Sequence, residues 1–141
     1  MSVRVARPLD AVDALEVRED GPDLLVTARK KVCADDPYMP GHFPGHIVYP
    51  AVFLVETVRQ AVGLACERSH GRWAELAGVR QARFARPLLA GDEAVFEITV
   101  SPAGDGIWTA RARVSCAGEA AAELSVECAA VPREGDEDAG A

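Results

Sequence analysis

Apolar and polar side chains alternate along much of the chain, a pattern that predicts β-strands. In residues 108–116 the even positions are apolar or small and the odd positions are polar or charged, as in a half-buried strand. Residues 120–130 repeat the alternation, and Gly118 between the two segments predicts a hairpin turn. By the same criterion we predict further strands over residues 12–18, 24–33, 78–84 and 94–101.

A long helix is predicted over residues 50–68, between the strands predicted at 24–33 and 78–84, with Pro50 in its first turn. Its residues are apolar nearly all round, so we expect the sheet to wrap the helix and enclose it. The exception is a narrow polar stripe, in which Glu56 and Gln60 stand four residues apart beside Arg59. A second, short helix is expected over residues 72–76.

Length and composition favour one domain. The chain has 141 residues, of which 49% are hydrophobic, enough for a substantial core. We expect a single domain over residues 1–131 and a disordered acidic tail over residues 132–141. Without a leader or a membrane-spanning stretch, the default location is the cytoplasm. The four cysteines form no C-x-x-C pair, which predicts reduced apolar side chains and neither a disulfide nor a zinc site.

The net charge of −7 argues against a nucleic-acid-binding protein, because the arginines are dispersed through an acidic chain. A local excess of positive charge is the set Arg80, Arg83 and Arg86. These side chains have two interpretations: the solvated face of a strand, or a docking site for an acidic partner or a phosphate.

Chemistry is concentrated in one stretch. The loop Gly41-His42-Phe43-Pro44-Gly45 holds an imidazole, and Glu56 follows on the apolar helix. A histidine and a carboxylic acid together can transfer protons. The plainer alternatives are that His42 is a structural loop residue and that Glu56 only pairs with Arg59. Against the second, an acid without a partner on so apolar a helix would be costly to bury.

These residues resemble the 3-hydroxyacyl-acyl-carrier-protein dehydratases of fatty-acid synthesis, which have the hot-dog fold. The GHFPG loop, the Asp35-Asp36-Pro37-Tyr38 segment before it, and a glutamate followed four residues later by glutamine are similar to the family's motifs. So are the segment 82–87 and the Gly91-Asp92 turn. The resemblance covers most of the chain and implies an α+β hot-dog fold, with an antiparallel sheet wrapped around a long central helix.

The resemblance also implies the reaction and its residues. The substrate would be a 3-hydroxyacyl group on the phosphopantetheine arm of an acyl carrier protein, and the products a trans-2-enoyl thioester and water. His42 would be the base at the α carbon and Glu56 the acid that protonates the hydroxyl. Backbone N–H groups near Gly45 and Ala51 would stabilise the oxyanion. No bound cofactor or metal is expected.

Other positions take supporting roles under this resemblance. Gln60 would hydrogen-bond near the acid, while Tyr38 and Phe43 would pack or line an acyl tunnel. The arginines at 80, 83 and 86 would be the docking edge for an acidic carrier protein. A homodimer is implied, with the histidine of one subunit meeting the glutamate of the other, although a heterodimer with a related subunit stays open.

Two departures from the family bear on the substrate. The family usually has glycine where this chain has Ala51, and proline where it has Ile47. They suggest a specialised polyketide or lipid pathway as an alternative to housekeeping fatty-acid synthesis. Two other functions also stay open at this point: a hot-dog acyl thioesterase, and a non-catalytic subunit of a heterodimeric dehydratase.

Overall fold

An antiparallel sheet and one long helix make up the part of the chain that the structure describes. The structure is a computed structural model that describes residues 11–32 and 51–131. The elements in chain order are β1 (Ala14–Asp20), β2 (Asp23–Lys31), α1 (Ala51–His70), β3 (Ala74–Phe84), β4 (Glu93–Gly104), β5 (Ile107–Cys116) and β6 (Glu119–Ala130). This arrangement confirms the predicted α+β hot-dog fold. The predicted tail, residues 132–141, lies outside the described residues, and the domain boundary at residue 131 stays a prediction.

The sheet has the strand order β1-β2-β4-β5-β6-β3, with every neighbouring pair antiparallel. Its register places the apolar side chains of neighbouring strands opposite one another on one face. One such transverse row runs Val26, Ile98, Ala112, Leu124. All four are buried, and they belong to the same core as the helix. The alternation along the sequence is therefore that of a sheet with one apolar face against α1.

One face of α1 packs on this sheet. The helix residues Leu54, Val58, Ala61, Val62, Ala65 and Cys66 are all at most 3% exposed. At helical spacing these positions form a stripe along the rod, which is the side that meets the core. Phe96 of β4 is the largest fully buried side chain of that core. From Phe53 to Cys66 every residue of α1 is buried or half-buried, as expected for an enclosed helix, and the exposed residues are confined to its two ends, with Val52 at 65%.

The turn between β5 and β6 forms at the predicted glycine. Ala117 and Gly118 are the two connecting residues, with φ angles of 52° and 81°. Two successive positive φ angles are typical of the tight turns whose twist matches a β-hairpin, and glycine adopts them without steric cost.

The short helix expected over residues 72–76 is wrong. The segment Ala74–Phe84 is strand β3 from its first residue, and Ala74 pairs with Ala130 of β6. Ala, Glu and Leu are good helix formers, but pairing with β6 satisfies the backbone of this segment and outweighs that weak local preference. Strand β3 therefore begins four residues earlier than the predicted strand, close to the end of α1.

Strand β3 is also an edge of the sheet. Its register against β6 shifts twice, between Leu76 and Gly78 and between Val79 and Gln81. Val79 and Phe84 are each 46% exposed. Irregular pairing of this kind twists an edge strand, and the exposed apolar side chains leave a surface that another chain can cover.

Candidate active site

Glu56 lies on α1, in the second turn after the helix begins at Ala51. The first turn of α1 contains no acidic side chain. Because the first N–H groups of a helix have no intrahelical acceptor, the amide end of α1 can receive an acceptor from elsewhere. Ala51 is exposed at that end. The described part of the predicted site is thus a carboxyl group one turn from a helix N-terminus.

The Glu56 carboxylate is held by two neighbours on its own helix. Arg59 donates from Nε to Oε1 at 2.8 Å and from Nη2 to Oε2 at 3.1 Å. Gln60 donates from Nε2 to Oε2 at 2.7 Å. The Glu56 side chain is only 26% exposed. The premise that this acid lacks a partner on the helix is therefore wrong. The hydrogen bond from Gln60 is of the kind expected for Gln60, which was assigned to hydrogen-bond near the acid.

Arg59 also binds a second carboxylate, on strand β3. Its Nη1 donates to both oxygens of Glu75, at 2.9 and 3.0 Å. The guanidinium carbon lies 5.8 Å from the centre of the Trp73 ring, within the range of a cation–π contact. The hydrogen bond to Glu56 is the main cause that raises the pKa of Arg59, and the bond to Glu75 adds to it against the effect of burial.

Glu75 is fixed as firmly as Arg59. Its Oε2 accepts from the Leu76 amide at 2.8 Å, and the Trp73 side chain also donates to the carboxylate. Burial by itself would raise the pKa of Glu75, but the Leu76 amide and Arg59 outweigh burial, so the pKa is lowered. Glu75 is therefore held as an anion that anchors Arg59 from the sheet side.

Gly63 allows Trp73 to lie against the polar side of the helix. A Cβ atom at position 63 would come within 2.2 Å of Cε2 and Cζ2 of the Trp73 ring. No side chain tolerates that distance without displacing the indole. The small residue thus lets β3 bring Trp73 and Glu75 up to Arg59.

The segment before β1 is tied to the same part of the helix. The amide of Ala11 donates to Oε1 of Gln60 at 3.3 Å. The hydroxyl of Thr57 donates to the carbonyl of Ala11 at 2.8 Å, and also to the Phe53 carbonyl at 3.1 Å. The Gln60 amide therefore has one end on the Ala11 backbone and the other on Glu56, which fixes its orientation.

The arginines at 80, 83 and 86 face a series of glutamates on β6. Arg80 pairs with Glu127 at 3.2 Å, Arg86 pairs with Glu119, and Arg83 stands opposite Glu123 in the register. Cross-strand pairs of opposite charge stabilise a solvated strand face, which is one of the two interpretations of this set. The docking interpretation stays a prediction, and it concerns side chains that are still partly exposed, Arg80 at 60% and Arg86 at 36%.

Four of the predicted site residues lie outside the described residues: His42, Gly45, Tyr38 and Phe43. Their roles stay predictions. Sequence reasoning also missed Trp73 and Glu75, because that segment was assigned to a short helix. The signal that could have found them is the alternation over residues 73–76. In a strand, Trp73 and Glu75 lie on one face, and the apolar residues Ala74 and Leu76 lie on the other.

Neither a metal centre nor a membrane span is visible in residues 11–32 and 51–131. No three His, Cys, Asp or Glu side chains of these ranges are grouped so as to hold a metal ion. Helix α1, in the same part of the chain, lacks the apolar length needed to cross a bilayer. Cys66, Cys116 and Cys128 are buried free thiols.

Fold and helix site together define a hot-dog protein with a carboxylic acid on its central helix. Comparison with known proteins agrees. A family model described as a FabA-like domain matches residues 6–125. The chain is 35% identical over 133 residues to the 3-hydroxyacyl-acyl-carrier-protein dehydratase FabZ of Nitrosospira multiformis, covering 90% of each chain. It is 33% identical over 128 residues to the FabZ of Aromatoleum aromaticum, covering 86% of this chain and 87% of the relative.

Solved structures show the same architecture at low sequence identity. The YhdA protein of Lactococcus lactis superposes with a TM-score of 0.69 at 10% identity, covering 86% of this chain and 93% of that one. The chain belongs to the FabA-like family of hot-dog proteins. The family resemblance inferred from the GHFPG loop and the helix motif is confirmed.

Proposed function

We propose that this protein dehydrates a 3-hydroxyacyl thioester carried on an acyl carrier protein, giving the trans-2-enoyl thioester and water in fatty-acid or polyketide biosynthesis. The observation that carries the proposal is the half-buried carboxylate of Glu56 on the central helix, which Arg59 and Gln60 orient through hydrogen bonds. The names of the curated dehydratase relatives and the membership in the FabA-like family support the reaction.

The reaction needs a base, an acid and an oxyanion site. His42 takes the proton from the carbon next to the thioester carbonyl. The electron pair forms the new double bond as the bond to the 3-hydroxyl breaks, and Glu56 gives its proton to that oxygen, which leaves as water. Transfer of the proton from His42 back to Glu56 through solvent restores the starting state. Backbone N–H groups near Ala51 and Gly45 stabilise the charge on the carbonyl oxygen meanwhile.

The proposed active unit is a dimer, with His42 of one subunit and Glu56 of the other in each site. The exposed apolar residues Val79 and Phe84 on edge strand β3, and Val52 at the start of α1, support an assembly. A heterodimer with a related subunit is the alternative, and mixed-subunit experiments distinguish the two.

The carrier protein brings the substrate on its phosphopantetheine arm, so the enzyme needs neither a bound cofactor nor a metal. We place carrier docking on Arg80, Arg83 and Arg86. These side chains face glutamates of β6, and acidic groups of the carrier protein can replace those glutamates as ion-pair partners. Tyr38 and Phe43 are assigned to the wall of the acyl tunnel. A cytoplasmic location suits the three buried free thiols.

A single assay tests the reaction. Purified protein is mixed with a 3-hydroxyacyl carrier protein and the intact mass of the carrier is followed. Loss of one water supports the dehydratase, whereas release of the acyl group would indicate a thioesterase and an unchanged mass a non-catalytic subunit. We expect His42→Ala and Glu56→Gln each to lower turnover by a factor of about 100 or more. Full dehydration by either variant would remove that residue from the mechanism.

Complementation tests whether the site is shared between subunits. The two inactive variants, His42→Ala and Glu56→Gln, are unfolded together and refolded as a mixture. If each site takes one residue from each chain, random pairing restores one intact site in half of the dimers, about a quarter of wild-type activity. No recovery, with dimers verified by light scattering, would place both residues in one subunit.

A further inference from the structure

The Glu56 carboxylate has only part of its hydrogen-bonding capacity free. An ionised carboxylate offers about four acceptor positions, two on each oxygen. Within the described ranges, Oε2 accepts from both Arg59 Nη2 and Gln60 Nε2, and Oε1 accepts from Arg59 Nε. Among the described residues these donors fill Oε2 and leave one position on Oε1. The oxygen that can meet a substrate hydroxyl or carry the proton for it is therefore Oε1.

Arg59 is suited to fix that choice because it cannot turn freely. Its Nη1 is bound to both oxygens of Glu75, and the Trp73 ring lies beside the guanidinium. Glu75 is in turn held by the Leu76 amide on β3. A planar guanidinium with two anchored edges defines the plane of the carboxylate that it binds. The orientation of Glu56 thus depends on a strand of the sheet as well as on its own helix.

We propose that Arg59 is a positioning residue for the dehydration, which directs Oε1 of Glu56 at the substrate and is itself anchored by Glu75 and Trp73. This inference rests on the proposed function, because it assigns a partner to the acid of that reaction. Glu75 and Trp73 act only through Arg59 and do not touch the substrate.

The test compares Arg59→Met and Arg59→Lys with Arg68→Met, a control at an exposed arginine in the last turn of the same helix. We expect Arg59→Met to lower kcat roughly 10- to 100-fold while KM changes less than about twofold. Arg68→Met should behave as wild type.

Arg59→Lys separates charge from orientation. Lysine keeps the positive charge but lacks the fork that binds two carboxylates at once. We expect kcat to stay at least about fivefold low although the charge is kept, with KM changed less than about twofold. Wild-type kcat in Arg59→Lys would overturn the orienting role, because the charge of residue 59 would then suffice.

Glu75→Gln tests the anchor and remains informative if Arg59→Met fails to fold. We expect a kcat loss of about 3- to 10-fold, and the double variant Arg59→Met/Glu75→Gln should lose no more than Arg59→Met alone. Additive losses would overturn the coupling between Arg59 and Glu75. If the wild-type protein leaves the mass of the 3-hydroxyacyl carrier unchanged, the proposed function itself fails. If the wild type dehydrates the carrier and Glu56→Gln is inactive, but Arg59→Met matches Arg68→Met in kcat and KM, only this inference fails.

Discussion

The two faces of α1 differ in how their environment is built. The apolar face includes Val58, Val62 and Cys66 and packs on the buried, mostly aliphatic side chains of the sheet. Such contacts have no directional requirement, so one apolar side chain can serve much like another. The polar face instead makes a few specific hydrogen bonds, in which Arg59 links Glu56 to Glu75. One face therefore determines whether the chain folds, and the other determines where one carboxylate points.

This difference has a consequence for tolerance to substitution. Aliphatic packing accepts exchanges of similar volume, because its energy depends on area and fit. A network of charged hydrogen bonds depends on donors and angles, so a change at one member alters the others. We expect substitutions on the apolar face to act mainly on stability, and those at Arg59 and Glu75 to act mainly on turnover.

The largest effect is expected from a charge on the apolar face. Val58 is fully buried, so Val58→Asp would place a carboxylate among aliphatic side chains without a partner. We expect the free energy of unfolding to fall by more than about 4 kcal/mol, measured by urea denaturation followed by circular dichroism. Val58→Thr is the matched control, with an expected loss of about 1–3 kcal/mol for the buried hydroxyl. Equal stability of the two variants would mean that this face is not a closed core.

A smaller effect is expected where Trp73 crosses the polar side of the helix. Helix propensity alone would make Gly63→Ala stabilising by about 1 kcal/mol. The added methyl group would lie 2.2 Å from Trp73 Cε2, however, so we expect a net loss of about 1–3 kcal/mol. Denaturant unfolding of a double-mutant cycle measures it: in a Trp73→Leu background the same change should become neutral or stabilising. A gain in stability with Trp73 present would contradict the tight contact.

The smallest effect is a dependence of stability on alkaline pH. Burial raises the pKa of the Cys66 thiol from 9.0 to about 11. The folded state therefore favours the neutral thiol, and this contribution is complete below pH 9 and lost as pH rises from 9 through 11. At pH 10 we expect a loss of about 1 kcal/mol in the wild type that is absent in Cys66→Ala.

The measurement is the free energy of unfolding of both proteins at pH 8 and pH 10. Burial is the main cause that raises the pKa of Cys128 to about 12, and because this burial is common to wild type and variant, most of its contribution cancels in the difference. The charge of Cys66 is a second, smaller cause of that shift. Identical pH dependence in the two proteins would show that the environment of Cys66 does not disfavour the thiolate.

The elements that follow a repeating pattern could be predicted from the sequence. The strands β4, β5 and β6 lie where alternation placed them, because a sheet with one buried face requires every second side chain to be apolar. The helix was predicted from its nearly continuous apolar residues, and Glu56 from its spacing to Gln60 in the helix motif. The start of β3 was missed, because Ala74, Glu75 and Leu76 prefer a helix locally and only pairing with β6 makes them a strand.

The sequence by itself determined the fold class, the family and the identity of the acid on the helix, since periodicity and short motifs are local properties of the chain. Only the tertiary structure decided what surrounds that acid. Glu75 lies 16 residues from Arg59, and Ala11 lies 49 residues from Gln60, yet both are direct hydrogen-bond partners. Contacts over such separations depend on how β3 and the segment before β1 pack against α1, and that packing is set by the shared core.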